Sequence, residues 1–260
     1  MNEEAASALF DLTGKVAVIT GGAGDIAQVY ASGLAEAGAK VVLADLDPTR
    51  AEAAAESLKS EGVDALGIGV DITDEEAAAR MADAAGEAFG GIDILINNAA
   101  LMTELPRVGL LDLSKDWFER TLRVNTMGAW ICAKAVVPSM LSRGGGRIVN
   151  GSSAAGFSQG GIYGISKYAM HSLTVNLAYE LGPRGINVNS IAPGFIQSDS
   201  SYRAMAEDDP LRQQMAAAIP GKSQGPPRDL VGTLLLLVSP AGEWINGQTL
   251  HVDGGWVTRM

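Results

Sequence analysis

The feature that most constrains this chain is a regular alternation of short apolar, β-branched runs with Ala-rich helical stretches. Residues 15–20, 40–44, 65–70, 92–96, 146–150, 186–191 and 249–252 read as strands. Several are apolar throughout, without the alternation of a half-exposed strand, as expected where both faces of a sheet are covered. Helical patterns fill the gaps at 27–37, 49–61, 74–89, 113–141, 163–181 and 228–237. This order predicts an α/β fold: a single doubly wound parallel sheet with right-handed crossovers and helices on both faces. At 260 residues, 47% hydrophobic and 19% charged, the chain suits one such domain spanning 1–260 with a substantial core. Residues 195–222 lack a strand pattern and have a polar, acidic middle, which reads as a helical insertion forming a substrate lid.

The first strand ends in Thr20-Gly21-Gly22-Ala23-Gly24-Asp25-Ile26-Ala27 and passes directly into a helical pattern. A glycine-rich turn there brings backbone N–H groups and a helix N-terminus to a pyrophosphate. The second strand ends at Asp45, whose carboxylate can accept hydrogen bonds from the adenosine ribose of NAD(H) but repels the 2′-phosphate of NADP. No basic residue immediately follows Asp45; the nearest is Arg50, beyond Pro48.

Farther on, Ile162-Tyr163-Gly164-Ile165-Ser166-Lys167 places a phenol and an ammonium at i and i+4, on one face of a helix. A phenol is too weak an acid, with a pKa near ~10, to be a good base at neutral pH, and a nearby cation favours its ionised form. With Ser153 upstream, the pair can form a proton-transfer site for an alcohol or carbonyl.

In order, the glycine turn, Asp71 in Asp-Ile-Thr, Asn97-Asn98-Ala99-Ala100, Asn125, Ser153, Tyr163-x-x-x-Lys167, Pro193-Gly194 and Asp253-Gly254-Gly255 resemble the short-chain dehydrogenase/reductase family over about residues 13–255. The resemblance implies a catalytic tetrad of Asn125, Ser153, Tyr163 and Lys167. Ser153 would hold the substrate oxygen, Tyr163 would transfer the proton, Lys167 would lower the Tyr163 pKa and bind the nicotinamide ribose, and Asn125 would position a relay water. Ser152 would be structural. The ten residues from Ser153 to Tyr163 are fewer than in many members, implying a trimmed loop near the substrate.

The resemblance also assigns cofactor contacts to Gly21, Gly24, Asp25, Ile26, Asp45, Leu46, Asp71, Ile72, Asn98, Ala99, Pro193, Gly194, Ile196 and Ser198. Ser198 replaces the family's usual Thr. Asp25 and Ala27 stand where the family turn carries its second and third spaced glycines. Asp25 therefore either repels the pyrophosphate, caps its own helix or points to solvent. Substrate-pocket candidates are Leu101, Met102, Ala154, Phe157, Phe195 and Tyr202, an apolar set suited to a hydrophobic secondary alcohol or ketone. The reading is an NAD(H)-dependent alcohol dehydrogenase or carbonyl reductase, with a 3-oxoacyl-thioester reductase as one alternative and a non-catalytic nucleotide-sensing or scaffold protein as another. Family resemblance further implies a homotetramer, or a dimer, assembled through helices 113–141 and 163–181.

The net charge of −11 and the lack of a basic run argue against nucleic acid as a partner. The acidic Met1-Asn2-Glu3-Glu4 start is unlike a secretory signal, the apolar run 234–238 is too short to span a bilayer, and the single Cys132 suits a reducing compartment. A cytoplasmic protein without membrane contact is expected. His171 and His251 read as packing residues, no ligand spacing suggests a metal, and the four tryptophans are scattered as packing or interface residues.

Overall fold

The computed structural model describes residues 7–221 and 224–258; the acidic N-terminal residues and the last residue of the expected lid lie outside that range. Strands β1 (Val16–Thr20), β2 (Lys40–Asp45), β3 (Ala65–Gly69), β4 (Ile94–Asn97), β5 (Gly146–Gly151), β6 (Ile186–Pro193) and β7 (Thr249–Val252) form one sheet in the order β3-β2-β1-β4-β5-β6-β7. Every pairing is parallel. The expected doubly wound sheet is therefore present, with strand ends shifted by one to two residues.

The crossovers are α1 (Asp25–Glu36), α2 (Pro48–Ser60), α3 (Glu75–Phe89), α4 (Lys115–Leu122), α5 (Gly128–Ser142), α6 (Gly161–Leu181) and α9 (Val231–Val238). Two short helices, α7 (Asp199–Ala204) and α8 (Pro210–Ala217), follow β6. Sequence signals set several ends. Asp47 caps α2 ahead of Pro48, Asp74 caps α3, and Gly90 ends α3 in the left-handed region. The helical pattern read as one element over 113–141 is divided by a π-helical turn at Arg123–Met127.

β1 shows why the centre of the sheet is apolar throughout. Ala17 and Ile19 face Tyr30 and Leu34 of α1 and Leu234 of α9, whereas Val16 and Val18 join the opposite layer with Met81 of α3 and Val136 of α5. Cys132 lies fully buried in that second layer, where burial pushes its thiol up to about 12 and keeps it protonated. Among the described residues, no helix is long and apolar enough to cross a membrane.

A polar residue fixes the sheet's N-terminal edge. Asp93 is 5% exposed, accepts the Val16 N–H at 2.9 Å and pairs with Arg143 at 2.9 Å and Lys15 at 3.5 Å. Asp93→Ala removes the acceptor and leaves the Val16 N–H without its partner. Because hydrogen bonds to charged groups are worth ~1.5–3 kcal/mol, urea unfolding should show a loss of about 2 kcal/mol. A change below about 0.5 kcal/mol would contradict this role.

Candidate active site

In the observed strand order, chain direction reverses across the sheet between β1 and β4, and ligands of such sheets bind outside the carboxyl ends of the strands at that switch. The glycine turn is located there. Gly21 has φ +63°, and a Cβ on it would lie 2.9 Å from the Ala99 Cα; one on Gly22 would lie 2.8 Å from the Leu43 Cα. These two glycines are required by packing against neighbouring strand ends. Gly24 serves as the N-cap of α1 without a side-chain cap, so the first-turn N–H groups around Asp25 and Ile26 form an anion-binding helix end. Asn98 ties β4 to this turn, donating its Nδ2 to the Thr20 carbonyl at 3.1 Å.

Asp45 stands at the end of β2 beside the turn. Its Oδ2 accepts the Ala23 N–H at 3.0 Å and its Oδ1 the Asp47 N–H at 3.2 Å. Arg50 reaches the same place, donating to the Ala23 carbonyl at 3.1 Å. Its distance along the chain had hidden this approach, which the first turn of α2 makes possible. Leu46 is 73% exposed beside Asp45, open to cover a ligand ring. Asp71 folds its carboxylate onto the Thr73 N–H and hydroxyl, at 2.9 and 2.8 Å. The Ile72 side chain is buried against Gly128, leaving only its backbone for a ligand.

Asp25 neither caps its own helix nor points free to solvent. Its Oδ2 accepts the Asp199 N–H at 2.5 Å, so the carboxylate caps α7, across from its own helix. The residue standing in a glycine position thus joins the glycine turn to the start of the insertion.

The four candidate catalytic residues converge from β5, the π-turn and α6. Ser153 follows β5 and caps a short 3-10 turn at Ala154–Phe157, its Oγ accepting the Ala155 N–H at 3.1 Å. The Ser153 side chain lies near enough to the Tyr163 phenol to favour its ionised form. Ser152 donates to the Lys167 carbonyl at 2.8 Å, a structural bond. Lys167 is 3% exposed; its Nζ donates to the Gly151 carbonyl at 2.6 Å and lies 5.6 Å from the centre of the Tyr163 ring. Burial draws the Lys167 ammonium down to about 8. Burial also pushes the Tyr163 phenol up to about 12, opposed by the Ser153 side chain. This reverses the expected direction for Tyr163, because desolvation of the phenolate is the larger effect here.

Asn125 is placed by the π-turn, and its side chain is held by the chain after β4 and by α6. Its Oδ1 accepts the Leu101 N–H at 2.6 Å, and its Nδ2 donates to the Leu101 carbonyl at 3.1 Å and the Ser166 hydroxyl at 3.0 Å. Both amide hydrogens are therefore committed, and the side chain clamps the chain after β4 to α6. Ser166, three residues after Tyr163, was not singled out in the sequence, although its place on α6 put it within reach.

Beyond β6, Phe195 and Gln197 pair with Gly225 through the Gly225 N–H to Phe195 carbonyl and Gln197 N–H to Gly225 carbonyl bonds, at 3.0 and 2.9 Å. The N–H and carbonyl of Ile196 consequently point to the other side of the segment. A Cβ on Gly194 would lie 2.5 Å from the Asp253 Cα, which explains the glycine after Pro193. Ser198 caps α7 reciprocally with Ser201. Of the pocket candidates, Leu101 and Phe195 are nearly buried, Met102 is partly open and Tyr202 is 40% exposed. Ala154 is fully buried, and Phe157 is engaged with Tyr168, His171 and His251, so neither forms an open wall. His171 also bonds Thr249 at 2.9 Å, and His251 lies 3.6 Å from Asp253. A separate cleft of about 150 Å³, lined by Phe195, Ile196, Ile219 and Val252 among others, includes none of the four candidate catalytic residues.

Residues 21–257 match the family model described as Enoyl-(Acyl carrier protein) reductase. The chain is 35% identical to the human Dehydrogenase/reductase SDR family member 4 over 253 residues, 96% of this chain and 90% of that one. A gluconate 5-dehydrogenase from Burkholderia cenocepacia, solved with NADP and tartrate, superposes with a TM-score of 0.91 at 31% identity, covering 98% of this chain and 100% of the other. A 7α-hydroxysteroid dehydrogenase solved with NADH and 7-oxo glycochenodeoxycholic acid gives a TM-score of 0.90 at 33% identity, covering 97% and 98%.

The depressed Lys167 pKa has a consequence for stability. Below about 8 both folded and unfolded chains carry the ammonium, and the folded chain bears the burial cost. Between about 8 and 10.5 the folded lysine sheds its proton while the unfolded one keeps it, so wild-type stability gains with rising pH. Lys167→Met removes that dependence. Thermal melts of the cofactor-free proteins should therefore show the variant's stability relative to wild type falling across this window. Parallel stability curves would contradict a buried, cationic Lys167.

Proposed function

The chain belongs to the short-chain dehydrogenase/reductase family and is an oxidoreductase, and from that premise we propose that it is an NAD(H)-dependent enzyme interconverting a hydrophobic secondary alcohol and its ketone. The observation that carries this reading is the buried Lys167 ammonium, held by the Gly151 carbonyl 5.6 Å from the centre of the Tyr163 ring on the same helix face. The chain's residues fit the cofactor: an uncapped α1 N-terminus for the phosphates, Asp45 for the adenosine ribose, Lys167 for the nicotinamide ribose and the Ile196 backbone for the carboxamide. When bound, the nicotinamide supplies or accepts the hydride.

In ketone reduction, Ser153 donates a hydrogen bond to the carbonyl oxygen and stabilises the charge developing there. Tyr163 gives that oxygen its proton and is reprotonated from solvent. A phenol held up to about 12 keeps its proton at neutral pH, the state reduction requires. Alcohol oxidation runs the same transfers in reverse, with Tyr163 as base.

The apolar character of Leu101, Met102 and Phe195 supports a hydrophobic substrate, as does the likeness to a hydroxysteroid dehydrogenase. The description of the matching family model favours a second reading, reduction of an acyl thioester. Asp45 and the net charge of −11 weigh against its usual NADPH and acidic carrier protein. A homotetramer, with a dimer as the smaller form, fits the apolar surface left on α4–α6, where Phe118, Trp130, Tyr168, Val175 and Tyr179 are exposed.

Cofactor preference tests this reading. The Asp45 carboxylate opposes a 2′-phosphate, and a difference of ~2.8 kcal/mol corresponds to ~100-fold. Steady-state turnover of a ketone panel should show kcat/KM higher with NADH than with NADPH by about that factor. Asp45→Ser should narrow the gap, because Arg50 remains at the Ala23 carbonyl to meet the phosphate. Equal use of both cofactors by the wild type would overturn the role of Asp45, and no turnover of any ketone would overturn the activity.

A further inference from the structure

The insertion after β6 contains a charged group that the reaction does not use. Arg212 of α8 is 2% exposed, among the largest fully buried side chains of the molecule. Among the described residues, no carboxylate forms a salt bridge with it. Burying an unpaired guanidinium costs several kcal/mol unless other groups replace its water. Here those groups are known. Nη1 donates to the carbonyls of Ser201 at 3.2 Å and Met205 at 2.8 Å, and Nη2 donates to the Gln224 side-chain oxygen at 3.1 Å. The guanidinium carbon is 4.1 Å from the ring centre of Tyr202 and 4.8 Å from that of Phe195.

Those partners come from different parts of the site. Ser201 and Tyr202 belong to α7, Met205 directly follows it, Phe195 adjoins Ile196 in the segment after β6, and Gln224 follows the insertion. One planar cation therefore holds two aromatic side chains and three separate backbone or amide oxygens in fixed relation. A lysine cannot do the same, since its compact ammonium lacks both the planar fork and the stacking face. Arg107 adds an outer brace from the chain after β4, bonding Asp209 at 2.7 Å and the Ala204 carbonyl.

We propose that Arg212 is a positioning residue for substrate recognition: its guanidinium sets Phe195 and Tyr202 as the wall of the substrate cleft and locks α7 over it. This rests on the oxidoreductase reading above. The glycine turn and Asp45, proposed to hold the phosphates and the adenosine ribose, make none of the Arg212 contacts, so loss of the clamp weakens the ketone's contacts more than the cofactor's.

The test uses the full chain with Arg212→Lys, Arg212→Met and Tyr202→Leu, the last removing one stacking ring while keeping the cation. Ketone KM should rise about tenfold in both Arg212 variants and by a smaller factor in Tyr202→Leu. The NADH dissociation constant, read by fluorescence titration, should stay within about threefold of wild type. Amide exchange over 199–217 should quicken by at least about tenfold while protection in the central strands is retained. If Arg212→Met fails to fold, Arg212→Lys and Tyr202→Leu decide the question. Wild-type KM and exchange in Arg212→Lys would overturn the proposal, as would equal losses of NADH and ketone binding. Exchange is read without turnover, so a wild type inactive on ketones would refute the proposed alcohol–ketone activity while leaving the clamp itself measurable.

Discussion

The site depends on how the carboxyl ends of β1 and β4 are fastened at the switch point. The Thr20 hydroxyl accepts the N–H groups of Asn98 and Ala99, each at 3.1 Å, and donates to the Ile96 carbonyl at 3.4 Å. The Asn98 amide returns a bond to the Thr20 carbonyl. These contacts hold the glycine turn against the chain leaving β4. Asn125 then grips Leu101 of that same chain and connects it to α6, which carries Tyr163 and Lys167. The proposed dinucleotide cradle and proton-transfer group thereby share one connected frame, as precise placement of reacting groups requires.

Electrostatics at the site follow from that rigidity. Burial shifts Lys167 and Tyr163 each toward its neutral form, although Lys167, at about 8, still carries its proton at neutral pH. For the phenol, desolvation exceeds the opposing influence of Ser153. Asp25 shows a related economy: a carboxylate in a glycine position avoids its own helix end and caps α7 across the cleft. The insertion is consequently anchored at Asp25, at Arg107 and around Arg212.

The sheet was legible in the sequence because its strands are covered on both faces and interrupted by Ala-rich helices, a pattern set by burial alone. Asp45, Tyr163 and Lys167 stood out as candidates because their spacing is local to a strand end or a helix turn, whereas Ser153 came from the family resemblance. Less visible were contacts made by long side chains across the fold. Arg212 lies in a polar segment resembling a solvated helix, and its burial depends on the rings of Phe195 and Tyr202 and the oxygens of Ser201, Met205 and Gln224 that meet its guanidinium. Arg50 likewise looked remote from the ribose position because the return of α2 toward Ala23 is a tertiary event. The π-turn carried no Gly or Pro signal within Arg123–Met127, and it divided an otherwise helical pattern to aim Asn125 inward.

The central claim is that this frame directs a hydride and a proton onto one carbonyl group, with Tyr163 delivering the proton. Mass spectrometry of the alcohol formed from a ketone and NADH deuterated at the transferred C4 position tests it most directly. One deuterium at the carbinol carbon is the expected result for wild type, with product formation nearly abolished in Tyr163→Phe while NADH still binds. Alcohol without the label, or near-normal labelled product from Tyr163→Phe, would contradict it.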